Sequence, residues 1–196
     1  MTLIKSISIA VGIFIVSLNA PAADCGKKIY TIGVQGIDYS PHYNFVTPDS
    51  VSLFSEFIEW LSKKTNCEFK ILPLPIKRLN LVFEEQRAID FIYPDNPNWH
   101  ITSQPKKEGI RRVYSPSIAV ALGGTMVTEA NKNISLTQFK KLAIPRGFTP
   151  VAWLPLQSQV TFREVSDTKA ALLMVLTGRV DGADIEYNVA QHLIKK

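Results

Sequence analysis

This sequence lacks the patterns that covalent chemistry usually needs. It contains no zinc-binding helix motif, no nucleophile elbow and no glycine-rich phosphate loop, which argues against metallopeptidase, serine hydrolase and nucleotide hydrolase classes. It also lacks a hydrophobic run long enough for a transmembrane span of ~20 residues. The longest apolar stretch near the start, Ile7 to Leu18, follows a lone Lys5 and precedes Asn19-Ala20-Pro21-Ala22-Ala23, whose small residues suit cleavage. That is the form of a secretory signal peptide over residues 1–23. A single-sign charge field is missing as well: 22 basic residues stand against 17 acidic ones, a formal net charge of +5. The basic residues fall in scattered pairs such as Lys63-Lys64, Lys77-Arg78 and Lys140-Lys141. A nucleic-acid partner would need a clustered stripe, so none is expected.

Cysteine is scarce, with two in the whole chain. Export places Cys25 and Cys67 in a compartment that permits disulfides. Each precedes an expected strand, Lys28 to Gln35 and Glu68 to Leu72, so a bridge at the shared end of two neighbouring strands is reasonable. Such a loop closure contributes roughly 4 kcal/mol as an upper figure. The alternatives are two free thiols, or lipid anchorage at Cys25, against which the bulk and charge of Asp24 stand.

What the chain does have is alternation of strands and helices. After the first strand comes an aromatic loop, Gly36 to Asp49, holding Tyr39, His42, Tyr43 and Phe45. Asp49-Ser50 offers an N-cap, and Leu53, Phe54, Phe57, Ile58 and Leu61 then recur at helical spacing. Asn66 ends that helix, Glu68 to Leu72 is the second strand, and Pro75 suits the first position of the next helix, which faces Ile76, Leu79, Val82 and Phe83 inward. Ile89 to Tyr93 is the third strand. It runs into Pro94-Asp95-Asn96-Pro97-Asn98-Trp99, either a ligand loop at a carboxyl strand end or a proline-stiffened turn.

Val113 to Val127 is a long β-branched stretch broken only at Gly123-Gly124, and it reads as a connector. Beyond it the alternation resumes: a short helix over Asn133 to Lys141 with Ser135 as cap, a strand over Leu142 to Pro145, and the turn Arg146-Gly147-Phe148-Thr149-Pro150. With Thr149 as N-cap and Pro150 first in the helix, backbone N–H groups would point into the cleft, where helix starts bind anions. Val160 to Val165 is a strand, Ser166-Asp167 caps a helix ending at Gly178, Val180 to Ile185 is a strand, and Tyr187 to Ile194 a last helix. Ile89-Asp90 and Val180-Asp181 form a weak repeat, one per half. The organisation expected is a two-lobed α/β chain: lobe 1 over residues 24–112, an interlobe crossing over 113–128, lobe 2 over 129–196, and a ligand cleft between them.

Four stretches carry a resemblance. Ile32-Gly33 through Tyr39-Ser40-Pro41 to Phe45, Tyr114-Ser115-Pro116 before an apolar strand, Arg146-Gly147-Phe148-Thr149, and Gly178-Arg179-Val180-Asp181-Gly182-Ala183 with Glu186 together resemble the extracytoplasmic solute-binding proteins of family 3, the polar amino-acid type. The resemblance implies a type II periplasmic-binding-protein fold, mostly parallel sheets flanked by helices and a hinge strand between lobes. It further implies a periplasmic monomer that uses no cofactor, binds a small polar solute and hands it to a membrane permease or receptor.

Carried over by residue, Tyr39 covers the ligand's apolar part, Thr149 bonds its carboxylate and Glu186 meets its ammonium. Tyr93, Asp95, Trp99 and Arg146 complete the expected lining. The plainer readings are loop packing for Tyr39, a helix cap for Thr149 and a helix-start acid favoured by the macrodipole for Glu186. Three departures stand out. Glu108, beside Lys107, occupies the position of the family's carboxylate-binding arginine, leaving Arg146 or Arg111 to compensate. The loop from Tyr93 to Trp99 is bulkier than the family's small hydroxyl residues, so the resemblance does not fix the ligand as a standard amino acid. Family members also cross back to the first lobe, and nothing after Lys196 does so, which implies a fragment or a shortened chain. A small-acid dehydratase on the same scaffold, with Glu186 or His42 as acid or base, and a sensory receptor partner are the alternatives to transport.

Overall fold

The computed structural model describes residues 25, 28–47, 50–100 and 112–195. The expected signal peptide, Glu108 and Arg111 lie outside these residues. Two sheets organise the chain. In the first, β1 (Ile29–Gln35) is flanked by β4 (Glu68–Leu74) and β5 (Phe91–Tyr93), both parallel to it. In the second, β7 (Lys141–Pro145) lies between β8 (Thr161–Val165) and β9 (Gly182–Glu186), parallel to both, and β6 (Gly123–Met126) closes the edge antiparallel to β9. A short hairpin, β2 (Asp38–Tyr39) with β3 (Tyr43–Asn44), folds the aromatic loop back over the first sheet. The central strands carry the buried apolar residues, Ile32 and Val34 in β1 and Leu142, Ala143 and Ile144 in β7.

Helix starts follow side-chain capping. The first helix, α1 (Leu53–Thr65), is capped by Ser52 rather than at Asp49-Ser50. Ser52 has a second hydroxyl three residues on, so its side chain receives the Ser55 amide while the Ser55 hydroxyl accepts the Ser52 amide. That reciprocal box satisfies two orphan donors at once. Asn66 closes α1 in the left-handed conformation, at φ 54°. Pro75 caps α2 (Ile76–Leu81) instead of opening it, and a π turn over Val82–Gln86 continues the chain. In the second lobe Asp167 receives the Ala170 amide at 2.8 Å and starts α3 (Thr168–Leu176), with Gly178 at φ 65° just past its end. Glu186 caps α4 (Tyr187–Ile194) through the Val189 amide.

The repeat of an apolar residue followed by aspartate has a structural meaning. Asp90 accepts the Thr31 amide of β1 and the Lys28 ammonium, and Asp181 accepts the amides of Lys140 and Lys141 at the start of β7. In each lobe the carboxylate takes the amides that a further strand residue would otherwise pair. The strands therefore begin at Phe91 and Gly182, later than the apolar pattern predicts, while Ile89 and Val180 are buried in the cores.

Two expectations change. The crossing forms a ladder only at Gly123–Met126, so the glycine pair expected to break the strand in fact begins it. Residues 113–122 run without a strand partner, and Val113 and Val120 are 80% and 76% exposed. A β-branched run becomes a strand only where another edge accepts its backbone bonds, and here only β9 does so. The helix expected over Asn133 to Lys141 is a single 3₁₀ turn, Leu136–Gln138, boxed by Ser135 and Gln138, with another 3₁₀ turn, Glu129–Asn131, ahead of it.

The cores are separate. Ile32, Val34, Tyr43 and Phe54 fill one side of the first sheet, and Leu79, Val82 and Ile89 the other. Ala143, Ala171, Val175, Val180, Ala183, Ile185, Val189 and Ala190 pack beneath α3 and α4, while Phe139, Leu142, Ile144, Trp153 and Val160 fill the opposite face. Cys25 and Cys67 are bridged, with Cα atoms 5.3 Å apart, at the shared start of β1 and β4. That separation is normal for a disulfide. No helix among the described residues is long and apolar enough to cross a membrane.

Candidate functional site

The carboxyl ends of β1, β5, β7 and β9 come together with the β2–β3 hairpin at the seam between the lobes. Four of the contacts between described residues that cross it are these. The His42 Nε2 lies 3.0 Å from Glu186 Oε2. The Thr149 hydroxyl donates to the Trp99 carbonyl at 3.3 Å. The Tyr39 ring lies 5.5 Å from the Phe148 ring. Ile76, at the start of α2, sits directly over Gly147, so closely that a Cβ there would stand 1.9 Å from Ile76 Cγ2. Gly147 is also at φ +84°, so both backbone and space require glycine in this turn.

Tyr39 is the centre of this seam. It packs against the aromatic core of its own lobe, 5.3 Å from the Tyr43 ring, and against the α3–α4 core of the other lobe. Burial pushes its phenol well above the usual range, with the Glu186 carboxylate adding to the effect. It therefore stays a neutral amphipathic plug, apolar in body with one polar atom, between two hydrophobic layers.

Glu186 is almost fully buried, at 4% exposure. Burial alone would raise its pKa, but donors outweigh that: the Val189 amide, the His42 ring and the Leu122 amide together hold the carboxyl below its ordinary value, and the Asn188 amide group also donates to it. An ionised carboxylate accepts only, so the His42 Nε2 carries the proton in this pair. The residue expected to meet a ligand's ammonium is thus engaged on both oxygens by the protein itself.

The remaining expected residues divide into three groups. Thr149 lies in the seam, but Pro150 occupies the N-cap of the 3₁₀ segment Val151–Leu156, so this turn leads into a 3₁₀ segment and not into an α-helix. Trp99 meets Thr149 through its backbone, from the short 3₁₀ turn Pro97–His100. Tyr93 is stacked on Phe54 at 3.8 Å and set edge-on to Tyr43, so it belongs to the first lobe's aromatic layer. Asp95 is drawn into a charge cluster at the foot of the crossing, where its two oxygens meet Arg112 and His100, each at 2.5 Å. Arg112 also reaches Glu84 through Nε at 3.1 Å and covers the Phe83 ring. Arg146 is exposed, 3.8 Å from Glu164, and takes no part in these four contacts across the seam.

Two features of the site were missed at the level of sequence. One is the Glu84–Arg112–Asp95 cluster, whose members are spread over 28 residues of chain and carry no motif. The other is Asp184, in the middle of β9, whose carboxyl is pushed up to about 6 by burial. An aspartate between Ala183 and Ile185 in a strand of otherwise apolar character was its visible signal. Among the described residues no cluster of three or more His, Cys, Asp or Glu side chains is arranged to hold a metal ion.

No family model matches the sequence, and no curated protein matches it. Solved structures do. A crystal structure of an ancestral amino acid-binding protein, described as a precursor of cyclohexadienyl dehydratase, matches 85% of this chain and 74% of its own at 17% identity and a TM-score of 0.66. An arginine transport-system periplasmic binding protein from Legionella pneumophila matches 83% and 70% at 16% identity and 0.62. The periplasmic VFT2 domain of Bordetella pertussis BvgS matches 86% and 70% at 12% identity and 0.55. At these identities the likeness is one of fold. The chain has the α/β fold of the two-lobed type II periplasmic amino-acid-binding proteins.

Proposed function

We propose that this protein captures a small polar, amino-acid-like solute between its lobes in the periplasm and delivers it, as a monomer, to an ABC transporter. The observation that carries the reading is the seam itself: His42 and Tyr39 from one lobe close on Glu186 and Phe148 from the other, and the Trp99 carbonyl of the first lobe receives the Thr149 hydroxyl of the second. In the closed form these groups meet each other. Opening frees the Tyr39 ring to cover a solute and releases the Thr149 hydroxyl from the Trp99 carbonyl to receive its carboxylate. In this reading the Trp99 turn borders that space, while Tyr93 supports it from the aromatic layer, Asp95 is held by Arg112 and His100, and Arg146 stands outside the seam contacts. Residues 113–128 act as the hinge between lobe 1 (24–112) and lobe 2 (129–196). A ligand that binds the closed arrangement better than the open one shifts the population towards closure.

The likeness to proteins described as amino-acid-binding supports the ligand class. The segment 1–23 and the Cys25–Cys67 bridge support export. The VFT2 domain of BvgS favours a second reading, a sensory lobe pair that reports occupancy to a membrane receptor.

The test is a thermal melt of the chain from Asp24 with a panel of amino acids, amines and organic acids. A ligand at a hundred times its dissociation constant adds ~2.7 kcal/mol, a rise of roughly 5–10 °C at this size. A shift confined to amino acids supports the proposal, and no shift with any of them contradicts it.

A further inference from the structure

We infer that Asp184, in place of Glu186, is the acid that receives the organic cation of the bound solute. This rests on the proposal above and names the recognition group within the same cleft.

Strand alternation sets the direction of the side chain. Ala183 and Ile185 of β9 are buried beneath α3 and α4, so Asp184 faces the other side of the sheet. Its directly opposed neighbour there is Thr125 of β6, whose hydroxyl oxygen receives the Trp153 indole N–H at 2.9 Å. The Thr125 oxygen thus has its donor, and the indole has its acceptor. Among the described residues no hydrogen bond and no ion pair reaches the carboxylate of Asp184, which is partly buried.

The groups around it make the contrast plain. Tyr39, reaching over from the first lobe, feels the charges of both Glu186 and Asp184. Glu186, two residues along the same strand, is met on Oε1 by the Leu122 amide and Asn188 and on Oε2 by the Val189 amide and His42. For an ammonium or guanidinium to use Glu186, it would have to displace donors that hold the N-cap of α4 and the seam. Asp184 needs nothing displaced. A partly buried carboxylate without a partner is costly to keep ionised, and a cation arriving beside Tyr39 removes that cost on binding. The closed cleft therefore divides its two acids: Glu186 holds the protein together, and Asp184 is left for the ligand.

The cation has two possible sources on an amino acid, the α-ammonium or a cationic side chain. Calorimetric titration of the wild type, Asp184→Asn and Glu186→Gln with L-arginine and L-glutamine separates them. The expected result is a loss of about 30-fold in arginine affinity for Asp184→Asn, the size of one charge-assisted bond, and a smaller loss for Glu186→Gln. An equal loss for glutamine assigns Asp184 to the α-ammonium, and glutamine binding unchanged assigns it to the side-chain cation. Titrations near pH 6 in buffers of different ionisation heat add a second readout: the wild type releases protons on binding arginine, and Asp184→Asn releases none. If Asp184→Asn binds both amino acids as the wild type does, or Glu186→Gln loses more than Asp184→Asn, the inference is overturned while the binding function stands. A wild type that binds neither overturns both.

Discussion

His42 of the first lobe and Glu186 of the second meet at 3.0 Å across the seam, 144 residues apart in sequence, and the same carboxylate caps α4 through the Val189 amide. One side chain therefore ties a local element to the closure of the whole molecule. Replacing Glu186 with alanine removes a helix cap and leaves the Leu122 amide without its acceptor. A loss of about 2–4 kcal/mol in unfolding free energy is expected, measured by urea denaturation at pH 7. A loss below about 0.5 kcal/mol would mean that the cap and the seam bond contribute little.

The two acids of β9 make opposite contributions to stability as pH changes. The folded pKa of Glu186 lies below its ordinary value, so its contribution is present above pH 4.5 and is lost as pH falls through the depressed folded value. Asp184 is raised from 3.8 to about 6, so the folded state holds its proton more tightly and stability falls as pH rises between those values. Asp184→Asn removes that penalty. The ligand-free variant should be more stable than the wild type by roughly 2–3 kcal/mol at pH 7.5, because each tenfold difference in proton affinity between folded and unfolded chains is worth about 1.36 kcal/mol. The advantage should shrink towards zero near pH 4. An asparagine variant no more stable than the wild type at pH 7.5 would show that Asp184 finds a partner in solution.

Gly147 and Ile76 are predicted to be coupled. Gly147→Ala places a methyl group where Ile76 Cγ2 stands and also strains a backbone at φ +84°. A destabilisation of more than about 2 kcal/mol is expected from overpacking and strain together. Trimming the partner with Ile76→Ala should recover only the steric part, giving a coupling energy on the order of 1 kcal/mol in a double-mutant cycle. Strictly additive costs would place Ile76 elsewhere in solution.

The bridge between Cys25 and Cys67 fixes the start of β1 against the start of β4. Replacing both residues with serine should lower unfolding free energy by about 2–4 kcal/mol. Mass spectrometry of the oxidised chain should find no alkylatable thiol, and two would contradict the bridge.

Much of this architecture could be read from local chemistry. Asp167, Asn66 and Gly178 mark helix ends because capping and left-handed geometry depend on a few adjacent atoms. The Cys25–Cys67 pairing followed from the placement of two strands. Asp90 and Asp181 were visible as a repeat, but their role as acceptors for a neighbouring strand's amides was not, because it depends on which strands lie side by side. The same limit hid the crossing. The run from Val113 to Val127 carries β-branched residues at Val113, Ile118, Val120, Thr125 and Val127, yet only Gly123–Met126 meets an edge to pair with. At the site, Tyr39, Thr149 and Glu186 were identified by resemblance. That Glu186 would be consumed by protein donors, and that Asp184 would stand without one, depends on side chains brought together from both ends of the chain.

The central claim is that an amino-acid-like solute is bound between the lobes, beneath Tyr39. Calorimetric titration of the chain from Asp24 with L-arginine, alongside Tyr39→Ala, tests it most directly. Saturable binding of one molecule per chain is expected, weakened about tenfold or more when the ring that covers the solute is removed. Binding that is indifferent to Tyr39, or no binding of any amino acid, would contradict it.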